Sequence, residues 1–221
     1  FDGRTITFGV STESESDIVA DEENGDVVND AIVKRNRAGE ERFDIKIDSI
    51  IVTDGLYDWY DKLATSILAG DGICDIAGHY AYQTYKAAQL GIYHDWNTIP
   101  YVDQSKPWWS QSINDSATIN GKLYAITGYL GMSIMDYTTA MFFNQRYLNE
   151  YGYEAADLYK MVYDGTWTID KFTEIIKNMY KDLNSNGERD DDDFYGYATG
   201  SVNALDNWQA AFDMPISRKT N

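Results

Sequence analysis

The chain has 221 residues, 43% of them hydrophobic, which is enough for one large domain or two small ones with packed cores. Its 36 acidic and 18 basic residues give a net charge of −18, so nucleic acid and anionic lipid are not expected partners, because like charges repel. A single cysteine excludes an internal disulfide, and no apolar run approaches the ~20 residues that cross a bilayer.

The first part of the chain alternates between the hydrophobic patterns of strands and helices. Apolar and β-branched runs predict strands, and apolar residues that recur every three or four positions predict helices. This order predicts parallel βαβ units with right-handed crossovers, and therefore an α/β fold. The predicted elements are a strand at Thr5–Val10, a helix at Asp26–Arg37 that Gly39 ends, a strand at Phe43–Val52, a helix at Tyr57–Leu68 and a strand at Ile73–Ala77.

The later part of the chain gives sparser signals. Asn120-Gly121 predicts a hairpin turn that leads into a strand at Lys122–Thr127. Thr168 is predicted to cap a helix at Ile169–Lys181. The other predicted elements are a helix at Tyr82–Leu90, a strand at Ala140–Asn144, a short helix that ends at Glu150 and a strand at Phe194–Thr199.

Polar and aromatic residues follow the first three predicted strands. Ligands of open α/β sheets bind beyond the carboxyl ends of the strands. We therefore expect the loops Ser11–Glu15, Thr53–Tyr57 and Gly78–Tyr80 to converge on one edge. None of them has a phosphate-binding glycine signature, so the sequence does not support a nucleotide ligand. The candidate ligand-binding residues in these loops are Glu13, Tyr57, His79 and Tyr80.

The segment Asp182–Asp193 follows the spacing of a twelve-residue calcium-binding loop. Oxygen-bearing residues stand at positions 1, 3, 5, 9 and 12, glycine is at 6, and position 7 offers its backbone carbonyl. Because hard cations need a shell of oxygens, the pattern predicts a structural Ca²⁺, with a plain acidic turn as the alternative. Position 12 is Asp instead of Glu, which predicts weaker binding or a water in the shell. The predicted ligands are Asp182, Asn184, Asn186, Glu188 and Asp193.

A predicted helix before this loop and a predicted strand after it favour a structural clip over a calcium sensor.

The order and spacing of several motifs also resemble extracellular solute-binding protein family 1, which includes maltodextrin-binding proteins. The resemblance covers nearly the whole chain. Its passages are Thr5–Val10, Tyr60–Leu63, Asp75-Ile76, Asn120–Ile126, Met141–Leu148, Gly165–Phe172, Asp182 and Tyr195-Gly196.

This resemblance implies a two-lobe periplasmic-binding-protein type II fold, in which parallel-rich sheets are flanked by helices. The expected lobes are residues 1–126 and 127–221, and the second is expected to be incomplete because family members are longer. Residues 128–139 make a longer segment than the usual hinge crossing of the family. The hinge is expected to close around a ligand held between the lobes.

The implied function is delivery of a small solute, expected to be a carbohydrate, to the membrane permease of an ABC importer. The protein is expected to act as a monomer without catalysis, either lipid-anchored at the cell surface or periplasmic. The chain opens with Phe1-Asp2-Gly3 instead of a charged start and an apolar run, so if the protein is exported, its signal is expected to have been removed. Because sugars need aromatic faces and polar groups, Asp136 near the crossing and Trp208 in the second lobe complete the candidate ligand-binding set.

Two other functions stay open at this stage. A glycoside hydrolase-like enzyme would need a pair of carboxylates, and no spacing singles one out. His79 beside Asp75 could act as a base, but no nucleophile or metal motif accompanies it. A calcium-dependent interaction module is the other alternative, and it would change shape with calcium alone.

Overall fold

A computed structural model of the chain describes residues 1–54, 57–136, 138–200 and 202–214. The chain divides into two compact units, Phe1–Thr138 and Thr139–Asn221. The lobe boundary predicted after residue 126 precedes this division, and the two-lobe fold stays a prediction.

The helices are α1 Glu15–Ile18, α2 Val27–Phe43, α3 Trp59–Ala69, α4 Ala81–Ala88, α5 Gln111–Ala117, α6 Ser133–Asp136, α7 Gln145–Glu150, α8 Ala155–Tyr163, α9 Ile169–Lys177 and α10 Val202–Ala211. The strands are β1 Arg4–Ser11, β2 Ile45–Thr53, β3 Ile76–Ala77, β4 Tyr180–Lys181 and β5 Phe194–Tyr195.

A three-stranded parallel sheet with the order β2-β1-β3 organises the first unit. The β1–β2 register is regular from Arg4 opposite Ile45 to Val10 opposite Ile51, and it shifts at Ser11. Helices flank the sheet, so the predicted α/β class and the parallel βαβ order are confirmed. None of the helices in the described parts of the chain combines the length and apolarity that crossing a membrane requires.

Two buried clusters hold the first unit together. Phe8 and Val10 of β1 pack with Ile18 of α1. Val52 of β2 packs instead with α3 and α4, in a cluster with Trp59, Leu63 and Ala87. Successive residues of a strand point to opposite faces, so each face of the sheet contributes to a different cluster.

Helix α2 is longer than the sequence predicts. Gly39 lies inside it, and the left-handed residue that follows the helix is Asp44, with φ 49°. Asp26 caps its start by accepting from the backbone N–H groups of Val28 and Asn29, both at 2.9 Å. Val27 and Val28 at its start are exposed, and the buried residues are Ile32, Val33 and Asn36. The helix passes Gly39 because packing outweighs the ~1 kcal/mol that an interior glycine costs.

Strand β3 is shorter than predicted and lies very close to β1. A Cβ added to Gly9 would lie 2.7 Å from the Cys74 Sγ, so a larger residue there would force the Cys74 side chain to shift. Cys74 is half-buried, and burial raises the pKa of its thiol, in line with a small packed residue.

Several predicted strands of the later chain are wrong. Residues 140–144 form no strand, because no partner pairs with them among the described residues, and Phe142 is 93% exposed. The hairpin turn is confirmed by Asn120 at φ 51° and Gly121 at φ 74°, but residues 122–127 form only an isolated bridge between Ile119 and Lys122. The strand after the acidic loop stops at Tyr195 instead of Thr199.

The second unit packs α7, α8 and α9 around Leu148, Leu158 and Ile175. The predicted cap is confirmed, because the Thr168 side chain accepts from the Lys171 backbone N–H at 3.2 Å. Helix α9 ends at Lys177, so the prediction that it runs to the acidic loop is wrong. The chain first forms β4, which pairs antiparallel with β5 and closes the loop at its base.

Candidate functional site

The loops that follow β1 and β2 are joined by a hydrogen bond. Residues Thr12–Ser14 form a 3₁₀ turn directly after β1, and Glu13 is exposed on it. The Thr12 hydroxyl donates to Asp54 Oδ1 at 3.1 Å. Since the two strands are parallel neighbours, both loops lie at the carboxyl edge of the sheet. Residues 55 and 56 of the predicted second loop lie outside the described residues.

A buried aromatic stack joins the second loop to the third. Trp59, the first residue of α3, is 0% exposed, and its ring lies 4.8 Å from the half-buried His79 ring, at an interplanar angle of 28°. Thr84 of α4 donates its hydroxyl to the His79 carbonyl at 3.2 Å. Sequence reasoning did not select Trp59. The only signal for it is the Asp-Trp-Tyr run at the start of the predicted helix Tyr57–Leu68, and this run does not distinguish a buried ring from an exposed one.

Two exposed tyrosines lie close in sequence to the members of this stack. Tyr57, which precedes Trp59 by two residues, is 72% exposed, and Tyr80, directly after His79, is 57% exposed. Their rings are available for contact with a ligand that has a flat apolar face and polar edges. The carboxyl edge therefore brings together the loops of all four residues predicted from the first three strands: Glu13, Tyr57, His79 and Tyr80.

The two other candidate ligand-binding residues lie elsewhere. Asp136 ends α6 and is exposed. Trp208 belongs to the second unit, where it packs 5.7 Å from the Phe172 ring and donates its Nε1–H to the Tyr197 hydroxyl at 3.2 Å. Its half-buried ring packs α10 on α9.

The alternative hypothesis, in which His79 acts as a base, places Asp75 beside it. The Asp75 carboxylate is bound to β1, because it accepts from the Arg4 guanidinium and from the Thr7 backbone N–H. It stands before β3, whereas His79 follows that strand. These contacts give Asp75 a structural role at the amino end of the strand pair.

The acidic loop closes on itself through its own side chains. The Asp182 carboxylate accepts from the backbone N–H groups of Ser185 at 2.6 Å and Gly187 at 2.8 Å. Asn184 and Asn186 each accept from the backbone N–H two residues ahead, at 3.0 and 2.7 Å. These bonds fold the first half of the loop into the tight turn that the calcium motif requires, with Gly187 at φ 78°.

The far end of the loop is bonded to its base. The Asp193 carboxylate accepts from the Tyr180 hydroxyl at 2.8 Å and from the Leu183 backbone N–H at 3.2 Å. The hydrogen bond to Asp193 raises the pKa of Tyr180 to about 12. Asp190 accepts from the side-chain amides of Asn186 at 2.6 Å and Asn184 at 3.1 Å, and these bonds lower its pKa.

The donor set of this loop is suited to a hard cation, since it consists only of carboxylate, amide and backbone oxygens. No three His, Cys, Asp or Glu side chains in the described ranges are grouped so that they could hold a metal ion. A calcium ion here would therefore depend on the oxygens of Asn184, Asn186 and the Glu188 carbonyl as well as on the carboxylates.

Comparison with known proteins adds no assignment. No protein-family model matches the chain, and no curated protein matches it. The features that bear on function are therefore the carboxyl edge of the sheet, the acidic loop and the sequence motifs.

Proposed function

We propose that the chain is the ligand-binding part of an extracellular solute-binding protein, which delivers a carbohydrate to the permease of an ABC importer. It binds the solute without converting it. The proposal includes the periplasmic-binding-protein type II fold, with hinge closure around the solute, and a monomeric protein that is lipid-anchored or periplasmic.

The observation that supports this proposal most is the composition of the carboxyl edge. Two exposed tyrosines, Tyr57 and Tyr80, each lie within two residues of a member of the Trp59–His79 stack in the sequence, and the exposed Glu13 belongs to the neighbouring loop. Sugars present flat apolar faces ringed by hydroxyl groups, so they need aromatic surfaces next to hydrogen-bonding groups. The sequence motifs that resemble solute-binding proteins support the same function.

A melting-temperature screen tests the proposal. The purified chain is heated with a panel of oligosaccharides, including maltotriose, xylotriose and cellotriose, and the products are assayed for new reducing ends. We expect at least one oligosaccharide to raise the melting temperature without any release of reducing sugar. No shift with any member of the panel would contradict the carbohydrate proposal, and turnover would favour the glycoside hydrolase alternative.

Variants of the edge locate the site. Tyr57→Ala and Tyr80→Ala should each weaken binding of the active oligosaccharide about tenfold, because each removes a ring face worth about 1.4 kcal/mol. The control is Tyr101→Ala, because Tyr101 is fully exposed in a different loop of the same unit. Equal losses in all three variants would show that the edge is not the binding surface.

We also propose that Ca²⁺ binds the acidic loop as a structural clip at the β4–β5 hairpin. The Asp182 turn and the Asp193 contacts that close the base support this proposal, because they bring the two ends of the motif together. Calcium should raise the melting temperature of the native chain, and Asp182→Ala should abolish the increase. The control is Asp191→Ala, which changes an exposed carboxylate at a position that the motif does not use. An equal calcium response in both variants would exclude the loop as the site.

A further inference from the structure

Arg35 of α2 joins three segments that are far apart in the sequence. Its half-buried guanidinium donates from Nη1 to the Leu130 carbonyl at 2.9 Å. Its Nη2 donates to the carbonyls of Asp17 at 3.1 Å and Ile18 at 2.9 Å. The guanidinium thus holds α1 and residue 130 on the same helix.

Two neighbouring side chains complete this arrangement. Asp17 Oδ2 accepts from the Met132 backbone N–H at 2.9 Å. The buried Asn36 donates to the Ile18 carbonyl at 2.7 Å and accepts from Arg35 Nε at 3.0 Å. The backbone at residues 130–132 is therefore bound at its carbonyl by Arg35 and at its amide by Asp17.

The segments joined in this way have distinct positions in the chain. Helix α1 directly follows the 3₁₀ turn that presents Glu13 at the carboxyl edge. Residues 130–132 precede α6 and the division between the two units after Thr138. Only a few hydrogen bonds therefore connect the Glu13 turn to the segment that leads into the second unit.

We propose that Arg35 and Asp17 form a clamp that couples the order of the Glu13 turn to the order of residues 130–132. In the proposed solute-binding protein, on which this consequence rests, solute held at the edge stabilises the segment that enters the second unit. Arg35 and Asp17 are positioning residues in this coupling. The coupling itself is a property of the chain without solute.

Amide hydrogen exchange of the full chain without solute tests the clamp. In Arg35→Met, we expect peptides from residues 11–20 and 128–136 to exchange about tenfold faster, the factor that corresponds to ~1.4 kcal/mol. A peptide from β2 should keep its native rate. The control is Arg37→Met, because Arg37 lies two residues away on the same helix and its exposed side chain pairs with Glu23 instead of with α1 or residue 130.

A pair of substitutions at Asp17 tests the clamp without removing the arginine. Asp17→Ala should accelerate exchange of the 128–136 peptide, and Asp17→Asn should restore it, because the amide oxygen can still accept from the Met132 N–H. In Arg35→Met, faster exchange in only one of the two peptides, or an equal increase across β2, would overturn the coupling. If the coupling is found but no oligosaccharide shifts the melting temperature, the clamp stands and the proposed function fails.

Discussion

The cluster beneath the carboxyl edge allows a stability test with a control on the same helix. Leu63 of α3 is 0% exposed and packs with Val52, Trp59 and Ala87. Leu63→Ala removes a side chain that has these buried residues around it, and it leaves the exposed tyrosines of the edge unchanged.

Removal of Leu63 should destabilise the first unit by about 3 kcal/mol, within the range of about 2–5 kcal/mol for buried leucine-to-alanine changes. The loss exceeds the lower end of that range where the surroundings cannot collapse into the cavity. Here the large Trp59 ring stacks on His79, which limits its movement towards the space that Leu63 leaves. A loss of this size lowers the melting temperature by roughly 6–12 °C in a chain of this length.

Urea unfolding followed by tryptophan fluorescence measures the effect. Leu68→Ala is the control, because Leu68 lies on the same helix and is 75% exposed. We expect this control to stay within about 0.5 kcal/mol of the native chain. If Leu63→Ala costs less than about 1 kcal/mol, or no more than Leu68→Ala, α3 is not packed on β2 as described.

Three further changes test other contacts. Gly128→Ala should destabilise the chain by about 1–3 kcal/mol in urea unfolding, because the new Cβ would lie 2.4 Å from a ring atom of Trp109. Thr168→Ala should cost about 1 kcal/mol by the same measurement, since it removes the cap on the Lys171 N–H. Burial raises the pKa of the Cys74 thiol. The neutral, buried thiol therefore stabilises the fold below the ordinary thiol pKa, and this stabilisation is lost as the pH rises through the pKa of the folded state. Alkylation of this thiol at pH 9 should therefore be slower in the folded chain than in urea, and equal rates would contradict its burial.

Much of the first unit could be predicted because its signals are local. The apolar alternation of β1 and the helical spacing of α3 are each contained in a dozen residues or fewer, and the parallel order follows from their succession. The same logic places Glu13, Tyr57 and Tyr80 at one edge. Local signals were also sufficient at Asn120-Gly121 and at the Thr168 cap, where the backbone conformation depends on one or two residues.

The errors arise where distant contacts decide the structure. Helix α2 continues past Gly39, and Arg35 and Asn36 within it are bonded to carbonyls at residues 17, 18 and 130. The run at residues 140–144 has the apolar composition of a strand, yet a strand also needs a partner with free backbone groups. The local sequence of neither segment shows whether such a distant contact exists.

The same distinction applies to the candidate site. Sequence alone could place Tyr57 and Tyr80 in two loops, but it could not show what fixes those loops with respect to each other. That connection is the contact between Trp59 and His79, residues separated by a whole helix and a strand. Each exposed tyrosine lies within two residues of one member of this stack. The geometry of the edge therefore depends on a buried aromatic pair as much as on the exposed tyrosines themselves.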